Sequence, residues 1–149
     1  WHERQIVVNV QGDEPLLPPQ LVRQVAALLE SHPQADIATL ATPIGSLAEL
    51  LDPNVVKVVA DAAQRALYFS RAPIPWHRDG SAGGAQTLWQ GARRHVGLDA
   101  YRVGALQRMA ALPPSPLEGI EKLEQLVLEW IPTCTAPRAT LKAGFPSRV

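Results

Sequence analysis

The stretch Ile6-Val7-Val8-Asn9-Val10, followed at once by Gln11-Gly12-Asp13-Glu14-Pro15, decides the fold. Its first half is a short run rich in β-branched side chains, which is typical of a strand buried on both faces of a parallel sheet. Its second half ends that strand with polar residues, and ligands of open α/β sheets bind outside the carboxyl ends of strands. Gly12 lets the main chain turn sharply, and Asp13 offers the hard oxygen that a magnesium ion prefers. An ordinary strand-end turn with a capping carboxylate is the alternative.

A helix and a second strand follow this stretch. Pro18-Pro19 opens the helix, because proline is tolerated in a first turn. Apolar residues then recur at helical spacing through Glu30, where Ser31-His32-Pro33 ends the pattern. Residues 37–42 form the next apolar run. The order strand, loop, helix, strand predicts a βαβ unit and an α/β fold.

The remaining chain predicts a mixed sheet and further helices. A polar segment between two apolar runs suits a hairpin, which would add an antiparallel pair to the parallel core. Ser115 and Glu118 have the spacing of a capping box, so a helix is expected from there to about Trp130. No period survives after Ile131, and the tail is a poor candidate for core. The other predicted elements are a helix over 46–51, strands over 55–60, 66–70 and 94–102, and a helix over 104–112.

The composition excludes several classes of function. Lys plus Arg and Asp plus Glu both total 14, so there is no charge excess to attract nucleic acid or an anionic membrane. No apolar run approaches the length of a membrane span. Cys134 is the only cysteine, which excludes an internal disulfide and favours a reducing, cytoplasmic location.

Four further residues are candidates for chemistry, although each is weak alone. Arg71 follows a strand and could hold a carboxylate in bidentate fashion, but an ordinary surface arginine is the alternative. His95 begins a strand and could donate a hydrogen bond to a sugar, whereas a lone histidine is more often structural. Glu124 and Gln125 lie on the last predicted helix, where a solvated edge is the usual explanation. No nucleophile–base–orienter triad and no Walker loop is present.

Taken together, the segments resemble the 3-deoxy-manno-octulosonate cytidylyltransferases, also called CMP-Kdo synthetases. The matching blocks occur in family order across residues 6 to 126. They are Val8 to Pro15, Asn54 to Val59, Ala66 to Trp76, Arg94 to Gly97 with Ala100 to Arg102, and Ser115 to Glu118 with Glu121 to Leu126.

The resemblance implies a Rossmann-like nucleotidyltransferase fold in three layers with a mixed sheet, often dimeric. It implies transfer of CMP from CTP to 3-deoxy-D-manno-octulosonate, with release of pyrophosphate and with magnesium, for lipopolysaccharide biosynthesis. Asp13 matches a metal-binding, catalytic carboxylate. The positions matching the sugar-acid pocket are Gln11, Arg71, His95, Glu124 and Gln125.

Three departures from the family pattern shape the expectations. No basic glycine-containing loop for the triphosphate precedes Ile6, and the family's second metal-binding carboxylate has no match after Trp130. Asp99 stands where the family usually has a tyrosine in the sugar pocket. We therefore expect residues 1–130 to form a partial cytidylyltransferase domain, incomplete at both ends and barely active alone, and 131–149 a non-matching tail.

Two alternatives differ from this interpretation. The chain could be a noncatalytic fragment that only dimerises or interacts, which the absent triphosphate loop favours. It could also be an enzyme similar to the CMP-sialate synthetases, which share the fold, although the block from Tyr68 to Trp76 argues against that sugar.

Overall fold

The computed structural model describes residues 1–11, 17–78, 88–128 and 139–143, and for 127–128 and 139–143 it describes the main chain alone. The bounds of the helices and strands are β1 (Ile6–Val10), α1 (Pro19–Glu30), β2 (Ile37–Pro43), α2 (Leu47–Leu51), β3 (Lys57–Ala60), β4 (Ala66–Ser70), β5 (Arg93–Arg102), α3 (Val103–Ala110), α4 (Pro116–Glu121), a 3-10 helix (Glu124–Leu128) and β6 (Ala139–Ala143). Helices and strands alternate up to β3 and are grouped after it.

Strand β5 is the hub of the sheet. The strand order is β4-β3-β5-β2-β6, with β1 paired to β5 on the side opposite β2. Strands β1, β2 and β3 all run antiparallel to β5. Strands β1 and β2 are therefore parallel to each other with β5 between them, so the predicted strand–helix–strand unit is present but its two strands are not neighbours.

The strand buried on both faces is β2, and the prediction that β1 has this place is wrong. Residues 37–42 are all buried, whereas β1 is half-buried at its start and Val10 is 45% exposed. The reason is position, because β2 lies between β5 and β6 while β1 pairs only with β5 among the described residues. An apolar sequence alone does not distinguish a central strand from one at the margin.

Helices cover both faces of the sheet. Leu21, Val25 and Leu29 lie on one side of α1 and are buried against Leu40 and Leu98. Strand side chains alternate between faces, so the neighbouring positions point the other way and pack against α3. A mixed α/β sheet with helices on both sides confirms the predicted fold class. No helix among the described residues is long and apolar enough to span a membrane.

The chain after Ser115 differs from its prediction. The capping box is present, since Ser115 accepts from the Glu118 amide, but α4 ends at Glu121 instead of continuing to Trp130. Lys122 takes a left-handed conformation with φ of 55°. The turn lets Leu123 and Leu126 enter a buried cluster with Val58. Glu124 and Gln125 therefore lie on the 3-10 helix and not on a continuous α-helix.

The tail contributes one strand that the sequence did not predict. Main-chain pairing joins β6 to β2 in parallel, from Ile37 opposite Ala139 to Ala41 opposite Ala143. The hydrophobic pattern after Ile131 did not predict this strand. Pairing of β6 with β2 depends on main-chain N–H and C=O groups, which do not show in the hydrophobic pattern.

Candidate functional site

A cavity of about 430 Å³ opens beside the end of β1, between β5, the segment before β3 and the turn after α4. It collects all five residues predicted for the sugar-acid pocket, although they are scattered from residue 11 to residue 125. Its lining is Gln11, Asn54, Val55, Val56, Arg71, Arg94, His95, Gly97, Lys122, Leu123, Glu124 and Gln125.

Gln11 occupies space that only a glycine at position 97 leaves open. The main-chain N–H of Gln11 donates to the Gly97 carbonyl at 3.4 Å. A Cβ on Gly97 would lie 2.5 Å from the Gln11 side-chain oxygen, well inside contact distance. The missing side chain of Gly97 therefore permits Gln11 to lie across β5 and line the cavity.

The pocket floor consists of His95 and Gln125, which line the cavity, and of Asp99 and Thr39 behind them. Asp99 is 1% exposed. Its carboxylate lies 3.2 Å from His95 Nε2 and accepts from Gln125 Nε2 at 3.3 Å and from the Tyr101 hydroxyl at 3.4 Å. Thr39 Oγ1 is 2.7 Å from the same His95 nitrogen. The floor is thus a closed set of side-chain hydrogen bonds around one carboxylate.

Burial alone would raise the pKa of Asp99. Hydrogen bonding and charge from His95, with hydrogen bonds from Thr39 and Gln125, outweigh it and hold the pKa of Asp99 below its usual range. Burial and the Asp99 charge raise the pKa of Tyr101 far above its ordinary value, so the phenol keeps its proton.

An irregularity in the β2–β5 pairing brings His95 to Asp99. Residues four apart in a regular strand are roughly 13 Å apart, too far for their side chains to meet. Here Thr39 pairs with Asp99 while the next residue, Leu40, pairs with Val96. The extra residues on β5 bulge the strand and shorten the distance.

At the pocket rim, Arg71 lines the cavity and is held by Glu121, which also binds Ser70. The Glu121 carboxylate accepts from Ser70 Oγ at 2.6 Å and from the Arg71 main-chain amide at 2.7 Å. The Arg71 guanidinium donates to the carbonyls of Glu121 at 2.6 Å and Pro53 at 2.9 Å. Burial would raise the pKa of Glu121, but hydrogen bonds from Arg71, Ser70 and Tyr68 and the Arg71 charge keep it lowered.

Positive charge dominates the lining of the cavity. Arg71, Arg94 and Lys122 contribute cations, and Glu124 is the acidic residue among the described lining. Arg94 Nη1 lies 3.6 Å from Glu49, so its charge is partly balanced. Such a lining suits an anion, and a guanidinium in particular suits a carboxylate.

Behind the rim, Lys57 is fully buried and fixes the segment that precedes β3. Its Nζ donates to the carbonyls of Asp52 and Val55, the latter in the cavity wall. Burial lowers the pKa of Lys57; the Asp52 charge opposes this and the Arg71 charge adds to it. The sequence predicted no role for Lys57, which lies in the block Asn54 to Val59 that resembles the family.

The predicted metal ligand Asp13 lies outside the described residues. Within the ranges that the structure describes, no group of three or more His, Cys, Asp or Glu residues is placed to hold a metal ion. Nothing in the sequence indicated the role of Glu121, and Asp99 was marked only as a departure from the tyrosine that the family usually has in the sugar pocket. An acidic residue inside the strand run 94–102 was the available signal for Asp99.

Comparison with known proteins agrees with this geometry. The family model described as cytidylyltransferase matches residues 2–131. A 3-deoxy-manno-octulosonate cytidylyltransferase of Thioalkalivibrio sulfidiphilus is 56% identical over 126 residues, covering 85% of this chain and 50% of the relative. One of Alkalilimnicola ehrlichii is 58% identical over 128 residues, covering 85% and 49%.

A solved structure is also similar. It is a CMP:2-keto-3-deoxy-manno-octonic acid synthetase complexed with CTP, with a TM-score of 0.77 and 37% identity, covering 93% of this chain and 53% of that one. The Rossmann-like nucleotidyltransferase fold is thereby confirmed. The chain spans about half the length of the curated relatives it matches. On the family match and these identities, the chain belongs to the cytidylyltransferase family.

Proposed function

We propose that this chain forms the sugar-acid side of a cytidylyltransferase that transfers CMP from CTP to 3-deoxy-D-manno-octulosonate and releases pyrophosphate. The observation that carries the proposal is the convergence of Gln11, Arg71, His95, Glu124 and Gln125 on one cavity of about 430 Å³. The names of the relatives and the CTP bound in the similar structure support the same substrates.

The chemistry of the cavity fits a hydroxylated sugar acid. Cationic side chains at the rim suit the carboxylate, and the polar side chains of the floor suit hydroxyl groups. A site that hydrogen-bonds its ligand in this way discriminates strongly against analogues lacking the bonding group. Binding in the cavity would hold the sugar acid in place for attack on CTP, which is the positioning part of catalysis.

Magnesium is part of the proposal through Asp13 alone. The ion would supply charge neutralisation to the phosphates of CTP, and Asp13 would give it one carboxylate oxygen. Asp13→Asn keeps the shape and removes the charge. In a form of the enzyme that turns over, pyrophosphate release should fall by about two powers of ten in kcat; a near-normal rate at saturating magnesium would refute this role.

The test of the sugar site is calorimetric titration of 3-deoxy-manno-octulosonate into the chain. Arg71→Ala should weaken binding by about tenfold or more, because a charge-assisted hydrogen bond to the carboxylate is lost. Arg65→Ala is the matched control, since Arg65 pairs with Asp61 in the β3–β4 hairpin and does not line the cavity. Equal affinities of the two variants would contradict the proposal.

A homodimer and a cytoplasmic location complete the proposal. Among the strands that the structure describes, β4 is the last on its side of the sheet, and Leu67 within it is 59% exposed. An exposed apolar strand at a sheet margin is a surface for pairing with a second copy. Light scattering should report a dimer at micromolar concentration, and a clean monomer would count against it. The cytoplasmic location is supported by the single cysteine.

A noncatalytic role, in which the chain only dimerises or interacts with a partner, is the second candidate. It predicts sugar-acid binding without turnover. Pyrophosphate release from CTP, sugar acid and magnesium separates the two: negligible release with retained binding supports the second candidate, and turnover excludes it.

A further inference from the structure

The buried carboxylate of Asp99 does not line the cavity, yet two of its four hydrogen-bond partners do. His95 and Gln125 each turn a side-chain nitrogen away from the cavity and toward Asp99, at 3.2 Å and 3.3 Å. Their other polar atoms, His95 Nδ1 and Gln125 Oε1, are the ones left to meet a ligand. Asp99 can thus act on a ligand only through these two neighbours.

The direction of these hydrogen bonds follows from the nature of the acceptor. An ionised carboxylate has no proton to donate, so Gln125 must present its NH₂ group and His95 must present an N–H. Thr39 Oγ1 is within hydrogen-bond distance of the same His95 nitrogen. Its single hydroxyl hydrogen is directed to the Leu98 carbonyl or to Asp99. Both oxygens near His95 Nε2 are therefore acceptors, which places a proton on Nε2.

We propose that Asp99 is a positioning residue that fixes the polarity of the pocket floor, holding the Nε2 proton of His95 and the NH₂ of Gln125 inward. Gln125 Oε1 then faces the cavity as an acceptor, and His95 Nδ1 is a second acceptor in the uncharged ring, whereas a protonated ring donates there. With the ring uncharged, the two acceptors select a ligand that offers hydroxyl donors at the floor, while the cations Arg71, Arg94 and Lys122 take its carboxylate. The inference rests on the proposed function for the ligand's identity.

The residue type explains why the polarity is fixed here. A tyrosine, which the resembling family usually has at this position, carries a hydroxyl that donates and accepts, so its neighbours can take either orientation. A buried carboxylate accepts only. An aspartate in place of the tyrosine therefore restricts His95 and Gln125 to one hydrogen-bond direction, with their donors toward Asp99. Asp99 thus helps to determine which ligand groups the floor can bind.

The proton arrangement is tested on the full chain without any turnover. In a long-range ¹H–¹⁵N spectrum of histidine-labelled protein, His95 should show a proton on Nε2. Asp99→Asn, which can present a donor to the same nitrogen, should shift the ring toward the Nδ1–H form. Arg65→Ala removes a cation that pairs with Asp61 in the β3–β4 hairpin and does not line the cavity, so it should leave the spectrum unchanged.

Two results would overturn the proposal: a wild-type His95 protonated on Nδ1 alone, or a folded Asp99→Asn whose His95 signals match the wild type. Should Asp99→Asn fail to fold, the wild-type spectrum still decides. Circular dichroism of each variant verifies the fold.

Ligand binding provides the second arm. Asp99→Asn should weaken the binding of 3-deoxy-manno-octulosonate by about tenfold in Kd, as expected when a hydrogen-bonding floor is misoriented, and the control Arg65→Ala should stay within about twofold. Wild-type affinity in Asp99→Asn overturns the positioning role. Absence of binding in the wild type, with the expected His95 spectrum, overturns the proposed function and the ligand class but supports the proton arrangement.

Discussion

The floor and the rim of the pocket are each built around one carboxylate, and they differ in what surrounds it. Asp99 is almost wholly buried and its four hydrogen-bond partners are all side chains. Glu121 is partly exposed, and one of its strongest partners is the Arg71 main-chain amide. Side-chain partners are lost by single substitutions, whereas main-chain partners remain. The floor should therefore be sensitive to mutation and the rim tolerant.

The largest expected contrast is in stability. Asp99→Leu removes the acceptor of several buried donors, and each stranded donor costs about 1–3 kcal/mol, so the free energy of unfolding should fall by about 3 kcal/mol or more. Glu121→Leu should cost about 1 kcal/mol, because water can replace the lost oxygen at a partly exposed site. Denaturant unfolding of both variants measures the difference. Equal losses would show that burial does not separate floor from rim.

Lowering the pH should reduce the free energy of unfolding through both carboxylates. The folded-state pKa of Asp99 is lowered, so its contribution to stability is present above the ordinary value of 3.8 and is lost as the pH falls through the folded value. The pKa of Glu121 is also lowered, so its contribution to stability is present above the ordinary value of 4.5 and is lost as the pH falls through the folded value. Unfolding free energies between pH 7 and pH 3 should decline for the wild type and decline less for Asp99→Asn. Parallel curves would mean that Asp99 is not ionised when folded.

A smaller effect is expected where a side chain can move aside. In Gly97→Ala the new Cβ would meet the end of the Gln11 side chain, which is flexible and can leave the cavity. Stability should hardly change, while sugar-acid binding should weaken about threefold to tenfold. Gln11→Ala should lose a similar amount, and the double variant little more, because both changes remove one contact. Additive losses would contradict this account of Gly97.

Local features of this fold were predictable from sequence, and long-range ones were not. Helix α1 and the Ser115 cap follow from proline, spacing and capping rules that act within a few residues. The place of β1 at the margin depends on which strands pair, which no local pattern encodes. The helix predicted to continue to Trp130 ends at Glu121, because burial of Leu123 and Leu126 outweighs helical periodicity.

The site shows the same division. The resemblance identified five residues that the structure brings to one cavity, although their roles remain predictions. It gave no hint that Glu121 joins Ser70 to Arg71, or that a bulge in β5 brings Asp99 within reach of His95. Both depend on contacts between elements distant in sequence.

The most direct test of the central claim is chemical-shift mapping of the ¹⁵N-labelled chain with 3-deoxy-manno-octulosonate. The account predicts that the largest amide shifts fall on Arg71, His95, Gly97 and the segment 122–125, which surround the cavity. A second cavity of about 380 Å³ between β1 and α3 shares Glu124 with the first, and its other residues, such as Val7, Leu106 and Met109, serve as an internal control and should be unaffected. No shifts at saturating ligand, or shifts confined to that second cavity, would contradict the account.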